Sequence, residues 1–342
     1  MSNKTTPFDR SEFIQQQSFA VNQLEYANQL GEEFASQDIK RFFLVGCGAP
    51  FYMMRLLAYW GNKYATATDI RVFASPDLIS QDPLALDGQT LVVLCSHSGT
   101  TPETLQAAAY LQSKPCKTLA ITQEEASPLG ETVQTVLPYG KTSQGYFSSY
   151  LLAQTLFSAF LNKREPGWKF HSALMNSLPS LPGALADAKE SSFPAAVAQA
   201  ESLVKENLIY VLGAGPMFTT AYVFSACFLM EMQWMHAHAL AIADFFHGPF
   251  EVIDAKVPLI VLIGEDSGRS EGERAKQFCD QYAGSTLVYD ARLFDMHGIP
   301  PIIRPIVAPF ILDSALTNLV EQLAILRNHP MTTRRYMGKV NY

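Results

Sequence analysis

Glu231 and His247 are the residues of this chain best suited by type and surroundings to exchange protons. The segment FLMEMQWMHAHALAIADFFHGPF, residues 228–250, holds Glu231 among Phe228, Leu229, Met230, Met232, Trp234 and Met235, and His247 opens the turn before Gly248-Pro249 sixteen residues later. A carboxylate that loses hydration in such surroundings has its pKa raised, and one shifted toward neutrality can both take and return a proton. The same spacing also fits a glutamate on a solvated helix stripe and a histidine that caps a helix. Both readings stand at this point.

A second chemical feature lies where the apolar run Leu91-Val-Val-Leu-Cys95 opens into Ser96-His97-Ser98-Gly99-Thr100-Thr101-Pro102-Glu103. Hydroxyls of Ser96, Ser98 and Thr101 can donate to phosphate oxygens, Gly99 permits close backbone approach, and Pro102 suits the first position of a helix whose free N–H groups face an anion. The alternative is a polar loop in which Thr101 only caps that helix.

These residues need a scaffold, and the chain supplies it twice. RFFLVGCGAPF at 41–51 and LIYVLGAGPMF at 208–218 each read as a strand, a Gly-x-Gly turn and the start of a helix, 167 residues apart. Further short apolar runs alternate with helical patterns: 70–74, 91–95, 118–121 and 133–137 in the first half, then 239–243, 259–263, 286–289 and 302–306 in the second. The pattern predicts an α/β fold of two doubly wound parallel sheets flanked by helices, with ligands at the carboxyl ends of the strands. Residues 1–37 read as a helical N-terminal arm, 38–171 as the first domain, 172–206 as a helical linker rich in Ala and Ser, and 207–342 as the second domain with a C-terminal tail. Neither Gly-x-Gly turn completes a dinucleotide fingerprint, because Phe51 and Phe218 stand where the third glycine belongs. In the second half the counterpart of the serine loop reads IGEDSGRS at 263–270, where two carboxylates oppose a phosphate. The first domain is therefore expected to bind the anion and the second to supply the chemistry.

Composition narrows the function classes. The 342 residues are 48% hydrophobic and only 17% charged, with a net charge of −7. There is enough apolar material for a core in each half, and no basic stripe of the kind that nucleic acids require. The five cysteines include no CxxC pair and fall mostly in apolar runs, which reads as reduced core thiols in a cytoplasmic protein. The opening MSNKTTPFDR shows no signal-peptide pattern, and the best membrane candidate, 228–250, is interrupted by Glu231 and Asp244.

The loop residues Ser96, Ser98, Gly99 and Thr101 match the Ser-x-Ser-Gly-x-Thr phosphosugar loop, and the chain resembles the sugar isomerase (SIS) domain family over nearly its whole length, as two tandem SIS domains. It is similar to the isomerase half of glucosamine-6-phosphate synthase, and more so to the Amadori-product deglycases of the fructosamine-6-phosphate type. The segments Met230–His236, Phe245–Pro249 and the tail from Arg334 to Tyr342 carry that resemblance. It implies Glu231 and His247 as catalytic residues. It implies Gly48, Ser96, His97, Ser98 and Thr101 around the phosphate, with Ser148 (in Gly145-Tyr-Phe-Ser148) and Lys339 as further substrate contacts. Asp244 replaces the glutamate usual before Phe-x-His-Gly-Pro, and Ala49-Pro50 after Gly48 leave mainly backbone donors at the first turn.

The implied activity is hydrolysis of a 6-phosphorylated fructosyl- or glucosyl-amino acid to an aldose 6-phosphate and an amino acid, with no cofactor and no metal. His236 and His238 have the spacing of two ligands on one strand face, yet no Cys, Asp or Glu completes a site. The alternatives are a phosphosugar aldose–ketose isomerase, an aminosugar-phosphate deaminase or a sugar-phosphate sensor. The apolar stretch 222–235 and the family's habit imply a homodimer or higher oligomer. Arg41, Arg304, Arg334 and Arg335 are the candidate partners for the carboxylate of the amino acid.

Overall fold

A computed structural model describes residues 8–340. The first seven residues of the arm and the last two of the tail match, Asn341 and Tyr342, lie outside the described residues. The chain divides into two compact units, 10–182 and 183–342, the latter joined by residues up to Asp9.

In the first unit the arm forms α1 (Arg10–Gln15), α2 (Ser18–Asn22) and α3 (Leu24–Ser36). Then follow β1 (Arg41–Gly46), α4 (Ala49–Tyr64), β2 (Asp69–Ala74), α5 (Ser75–Gln81), β3 (Thr90–Cys95), α6 (Pro102–Leu111), β4 (Lys117–Thr122), β5 (Thr135–Pro138), α7 (Gly145–Arg164) and α8 (His171–Ser177). The five strands are parallel in the order β2-β1-β3-β4-β5. Every residue of β3 is buried, as continuous apolar runs in a sheet covered on both faces require. The order reverses between β1 and β3, where Gly46 pairs with Cys95, so the crevice for a ligand lies beyond these two strand ends. The predicted strands at 70–74, 91–95, 118–121 and 133–137 all fall on observed strands, with bounds shifted by at most two residues at either end.

The second unit begins within α9 (Leu181–Leu203) and continues through β6 (Ile209–Gly213), α10 (Met217–Val223), β7 (Ala237–Ala241), α11 (Ile242–Phe245), β8 (Pro258–Ile263), α12 (Arg269–Tyr282), β9 (Ser285–Asp290) and α13 (Arg304–Leu326). Its sheet is again parallel, in the order β7-β6-β8-β9. A strand expected at 302–306 is absent: Ile302 and Ile303 lie in a turn and Arg304 starts α13. Pro305 explains the difference, since a proline sits well in the first turn of a helix and cannot donate to a strand ladder. The strand expected at 239–243 lies two residues earlier, because Ile242 and Ala243 coil into α11.

Among the described residues, the helix long and apolar enough to span a membrane is α13 rather than 228–250, and 89% of its most apolar window is buried within the protein. It is a core helix. Polar bonds to α9 fix it: Ser314 Oγ donates to the Leu185 carbonyl at 2.8 Å, Asn318 Nδ2 to Ser192 Oγ at 2.8 Å, and Lys189 Nζ meets Glu321 at 2.8 Å and Thr317 Oγ1 at 2.8 Å. None of the five cysteines forms a disulfide, and burial pushes the thiols of Cys95 and Cys279 up to about 12.

One carboxylate inside α13 is out of keeping with this core. Asp313 is buried, its Oδ1 has no hydrogen-bond partner among the described residues, and burial pushes its pKa up to about 7. A carboxyl group whose folded pKa lies above its unfolded value favours the native state at low pH and loses that contribution as pH rises through the folded value. Asp313→Asn is therefore expected to match the parent in urea unfolding near pH 4 and to exceed it near pH 8, by up to about 4 kcal/mol. Equal stability at both pH values would show that Asp313 is solvated or paired.

Candidate active site

The helix that carries Glu231 is not an ordinary α-helix. After α10 the backbone widens into a π-helical segment, Phe224–Met232, in which Gln233 N bonds the Phe228 carbonyl and Met235 N the Leu229 carbonyl. Such segments are rare and recur at functional sites. The segment closes with Trp234 in the left-handed region at φ 53°, an unfavourable place for a bulky residue. This exit turns Met230 and Trp234 to the surface while Leu229 and Met235 stay in the core.

Surrounding contacts hold the strained exit in place. The π segment packs on α13, and Thr220 of α10 donates to the Pro309 carbonyl of that helix at 2.8 Å. Beyond α13 the chain turns back through Asn328, and buried Gln233 donates through Nε2 to the His329 carbonyl at 3.0 Å. The rings of Trp234 and His329 meet edge to face with centroids 4.5 Å apart. The tail is thereby led past the π segment, and Arg334 Nη2 lies 3.0 Å from Glu231 Oε1.

Together these residues wall a pocket of about 820 Å³, lined among others by Met230, Glu231, Trp234, His236, Arg334 and Arg335. Glu231 is half-buried there, and loss of hydration raises its pKa above the usual carboxylate range, against the opposing pull of Arg334. The direction is the one its apolar neighbours imply, so Glu231 is no residue of a freely solvated stripe. Arg334, with two of its donors on the Met331 and Thr333 carbonyls at 2.8 and 3.0 Å, is the neighbour that spacing could not find.

His247 stands in the turn after α11, exposed, with its backbone N–H on the Asp244 carbonyl at 2.9 Å. It does not line the Glu231 pocket. Its turn is built rigidly: Phe245, Phe246 and Phe250 pack on Phe278 of α12 with centroids 5.7–5.8 Å away, and Arg274 lies 4.0 Å over the ring of Phe246. Gly248 at φ 134° occupies a conformation that a side chain would strain.

In the first unit the serine loop follows β3 at the switch point, with Gly48 exposed at the N-cap of α4 beyond the neighbouring strand β1. Ser96 Oγ and Thr101 Oγ1 are 2.9 Å apart, and Ser98 Oγ and Thr100 Oγ1 2.7 Å. Thr101 is the N-cap of α6 but makes no side-chain cap bond, so the amides of that helix end keep their capacity for an anion. Gly99, at φ 66°, is wedged against Ser127 and Thr122, neither of which the motif reveals. His97 is surface-exposed, but both ring nitrogens are engaged: Nδ1 is 2.7 Å from the Tyr139 hydroxyl and Nε2 3.0 Å from Gln123 Nε2. Burial lowers its pKa, which favours the neutral ring, and it braces the loop. Gly145, at the start of α7, abuts the His97 ring, and Ser148 one turn on is fully buried with no partner for its hydroxyl among the described residues.

Lys339 does not enter the Glu231 pocket; its Nζ donates to the Arg334 carbonyl at 2.5 Å and braces the tail. His236 and His238 are exposed, and no cluster of three or more metal-ligating side chains occurs among the described residues. The counterpart loop at 263–270 is occupied by its own bonds. Glu265 takes Arg304 at 2.7 Å, Asp266 accepts the Gly268 N–H at 2.7 Å, and Arg269 pairs with Asp290 at 2.6 Å.

Comparison with known proteins identifies the family and the fold. The SIS domain model matches residues 37–163. The fructosamine deglycase FrlB of Bacillus subtilis is 34% identical over 91% of this chain and 95% of its own length. The agropine synthesis conjugase of Rhizobium rhizogenes is 31% identical over 94% and 92%, and the fructoselysine 6-phosphate deglycase of Escherichia coli 26% over 90% and 88%. A solved Bacillus subtilis chain, provisionally named a phosphosugar isomerase, superposes with a TM-score of 0.88 at 32% identity, covering 96% of this chain and 99% of that one. The C-terminal domain of the glucosamine-fructose-6-phosphate aminotransferase of Francisella tularensis shares the fold at a TM-score of 0.78 and 17% identity, over 96% and 99%. With a half-buried carboxylate on a π-helical segment, a hydroxyl-rich loop at a sheet's switch point and relatives matching over most of both chains, this protein belongs to the SIS-domain phosphosugar family, alongside deglycase-type enzymes.

Proposed function

We propose that the protein is a deglycase that hydrolyses a 6-phosphorylated fructosyl- or glucosyl-amino acid to an aldose 6-phosphate and the free amino acid. The observation that carries this reading is Glu231, a carboxylate with a raised pKa opening onto a pocket whose wall holds two arginines. In the fructosyl case the phosphate is held by Ser96, Ser98, Thr101 and the first amides of α6. His247 protonates the ring oxygen as the sugar opens, exposing the carbonyl at carbon 2. Glu231 then takes a proton from carbon 1, which bears the amine, and the enaminol that forms is protonated at carbon 2. The resulting aldimine is hydrolysed by water, so the carbon–nitrogen bond breaks without any redox change.

The same steps run backward join an amino acid to a sugar, and the 31% identical relative is named a conjugase. An aldose–ketose isomerase would use the same Glu/His pair without the amine. A panel of phosphorylated fructosyl- and glucosyl-amino acids, scored for amine release beside fructose 6-phosphate, separates these readings. Turnover of the ketose phosphate with no amine release from any conjugate would reject the deglycase.

Glu231→Gln preserves shape but cannot accept a proton, and turnover is expected to fall by roughly 10²–10⁴-fold while substrate still binds. Because the base must be ionised and its pKa is raised, the acidic limb of kcat/KM should lie above the ordinary glutamate value of about 4.3. Substrate deuterated at carbon 1 provides the complementary check: label lost to solvent or moved to carbon 2 supports proton abstraction, and both deuterons retained at carbon 1 would reject it.

The phosphate assignment rests on hydroxyls that bond one another and on an uncapped helix end. Each charge-assisted bond to a dianion is worth about 1.5–3 kcal/mol. Ser96→Ala combined with Thr101→Ala should therefore raise KM by at least tenfold for the phosphorylated substrate. Equal turnover of phosphorylated and unphosphorylated substrate by the parent enzyme would overturn the assignment.

His247 lies outside the lining of the Glu231 pocket, and the SIS habit of completing sites across a two-fold axis offers an explanation. We take the enzyme to be at least a dimer in which His247 serves the partner's Glu231. Mixing inactive Glu231→Gln and His247→Ala subunits should then restore part of the activity. A fully active monomer in light scattering would rule this out.

A further inference from the structure

The four arginines available to recognise an amino-acid carboxylate are not equally placed. Arg41 is held by Asp87, and Arg304 is held by Glu265 with further bonds to backbone carbonyls, so both are committed to structural ion pairs. Arg334 and Arg335 both line the Glu231 pocket. Arg334 Nη2 is 3.0 Å from Glu231 Oε1, while Nη1 is fixed by two tail carbonyls. The guanidinium of Arg335 lies 4.2 Å over the ring of Trp234 and has no acidic partner among the described residues. Two guanidiniums thus face a single carboxylate, and the pocket has positive charge to spare. The rest of its wall is mostly apolar, chiefly Met230, Trp234, Met337 and Val340, with His236 and Tyr336 as its other polar members.

The reaction sets the distance at which a carboxylate receptor must stand. In a conjugate linked through an α-amine, the carboxylate carbon is three bonds from carbon 1, a span of roughly 4 Å. If Glu231 removes the proton from carbon 1, the receptor must be next to Glu231 itself, which is where Arg334 stands. We propose that Arg334 is the receptor for the α-carboxylate of the substrate, and that its pairing with Glu231 seen here is exchanged for that carboxylate when the conjugate binds. Arg335, braced on Trp234, supplies the second positive charge. The inference rests on the deglycase reading and adds to it which residue identifies the amine half.

The exchange has a chemical consequence. A guanidinium hydrogen-bonded to Glu231 stabilises its ionised form and weakens it as a base, whereas a second carboxylate drawn in beside Glu231 favours proton uptake. The substrate's own charge therefore displaces the cation from the base and strengthens the base in one step. A conjugate without the carboxylate leaves Arg334 on Glu231 and reacts more slowly, even though its sugar and phosphate bind as before.

The test is the ratio of kcat/KM for a matched pair, 6-phosphofructosyl-glycine and 6-phosphofructosyl-methylamine, which differ only in the carboxylate. The ratio does not depend on how much of the enzyme is folded, so a destabilised variant still reports. The parent should prefer the glycine conjugate by roughly ten- to a hundredfold, as expected for a charge-assisted contact. Arg334→Gln should bring the ratio to within a few-fold of unity, Arg334→Lys should recover part of it, and Arg335→Gln should lower it by less. A parent ratio near unity, or a preference that survives in Arg334→Gln, overturns the inference while leaving the deglycase reading intact. Amine release from neither conjugate, nor from any other in the panel, removes that reading and this inference with it.

Discussion

The contact between Glu231 and Arg334 is the interaction around which the second unit is arranged. A carboxylate deprived of part of its hydration costs several kcal/mol, and a guanidinium at this distance returns an amount of the same order in a protein-like dielectric. Desolvation is the larger of the two, so the pKa of Glu231 ends above the ordinary value rather than below it. Desolvation alone would raise the pKa further, and Arg334 alone would lower it. The work of the surrounding structure is to set both contributions, through the apolar side chains around Glu231 and the tail that delivers Arg334.

That work is visible in the strain the fold tolerates. A π-helical segment and a tryptophan in the left-handed region are each unfavourable, by about 1–3 kcal/mol for the latter. They persist because α10, α13 and the turn at His329 hold the segment from several sides, and because Gln233 ties its exit to the tail. Removing the widened turn would rotate Glu231 relative to Trp234 and Met235 and carry it away from Arg334. The strain is therefore local to the segment that carries Glu231.

Much of this fold was legible before any coordinates. Short apolar runs between turn residues located the strands, and the repeat of strand and Gly-x-Gly turn implied two sheets; both are statements about local periodicity, which the backbone obeys. The run at 302–306 misled because composition alone cannot distinguish a buried strand from the first turn of a core helix; Pro305 was the signal that decides it. Glu231 and the serine loop were readable because polar residues in apolar surroundings demand a reason. The partner of Glu231 was not, since Arg334 lies 103 residues further along the chain and is delivered by a tail with no periodicity of its own. The π register was equally hidden, as it depends on packing rather than on residue type. His97 lies within the matching loop, yet its ring is held by Tyr139, a partner that the motif does not show.

The two sheets also show how one scaffold comes to carry two differently furnished loops. Both have a loop after the strand at the point where strand order reverses, and both loops are rich in polar groups. In the first unit these groups are uncharged hydroxyls bonded weakly to one another, an arrangement that an incoming dianion can break at little cost because each hydroxyl merely changes partner. In the second unit the same position is filled by Glu265, Asp266 and Arg269, each already in an ion pair or backbone bond that an anion would have to displace. Replacing charge-assisted bonds by a new ligand is far costlier than exchanging neutral ones. The second loop is thus closed to phosphate by its own satisfied charges as much as by repulsion. What that unit offers instead is the segment after α10, where an apolar run contains Glu231.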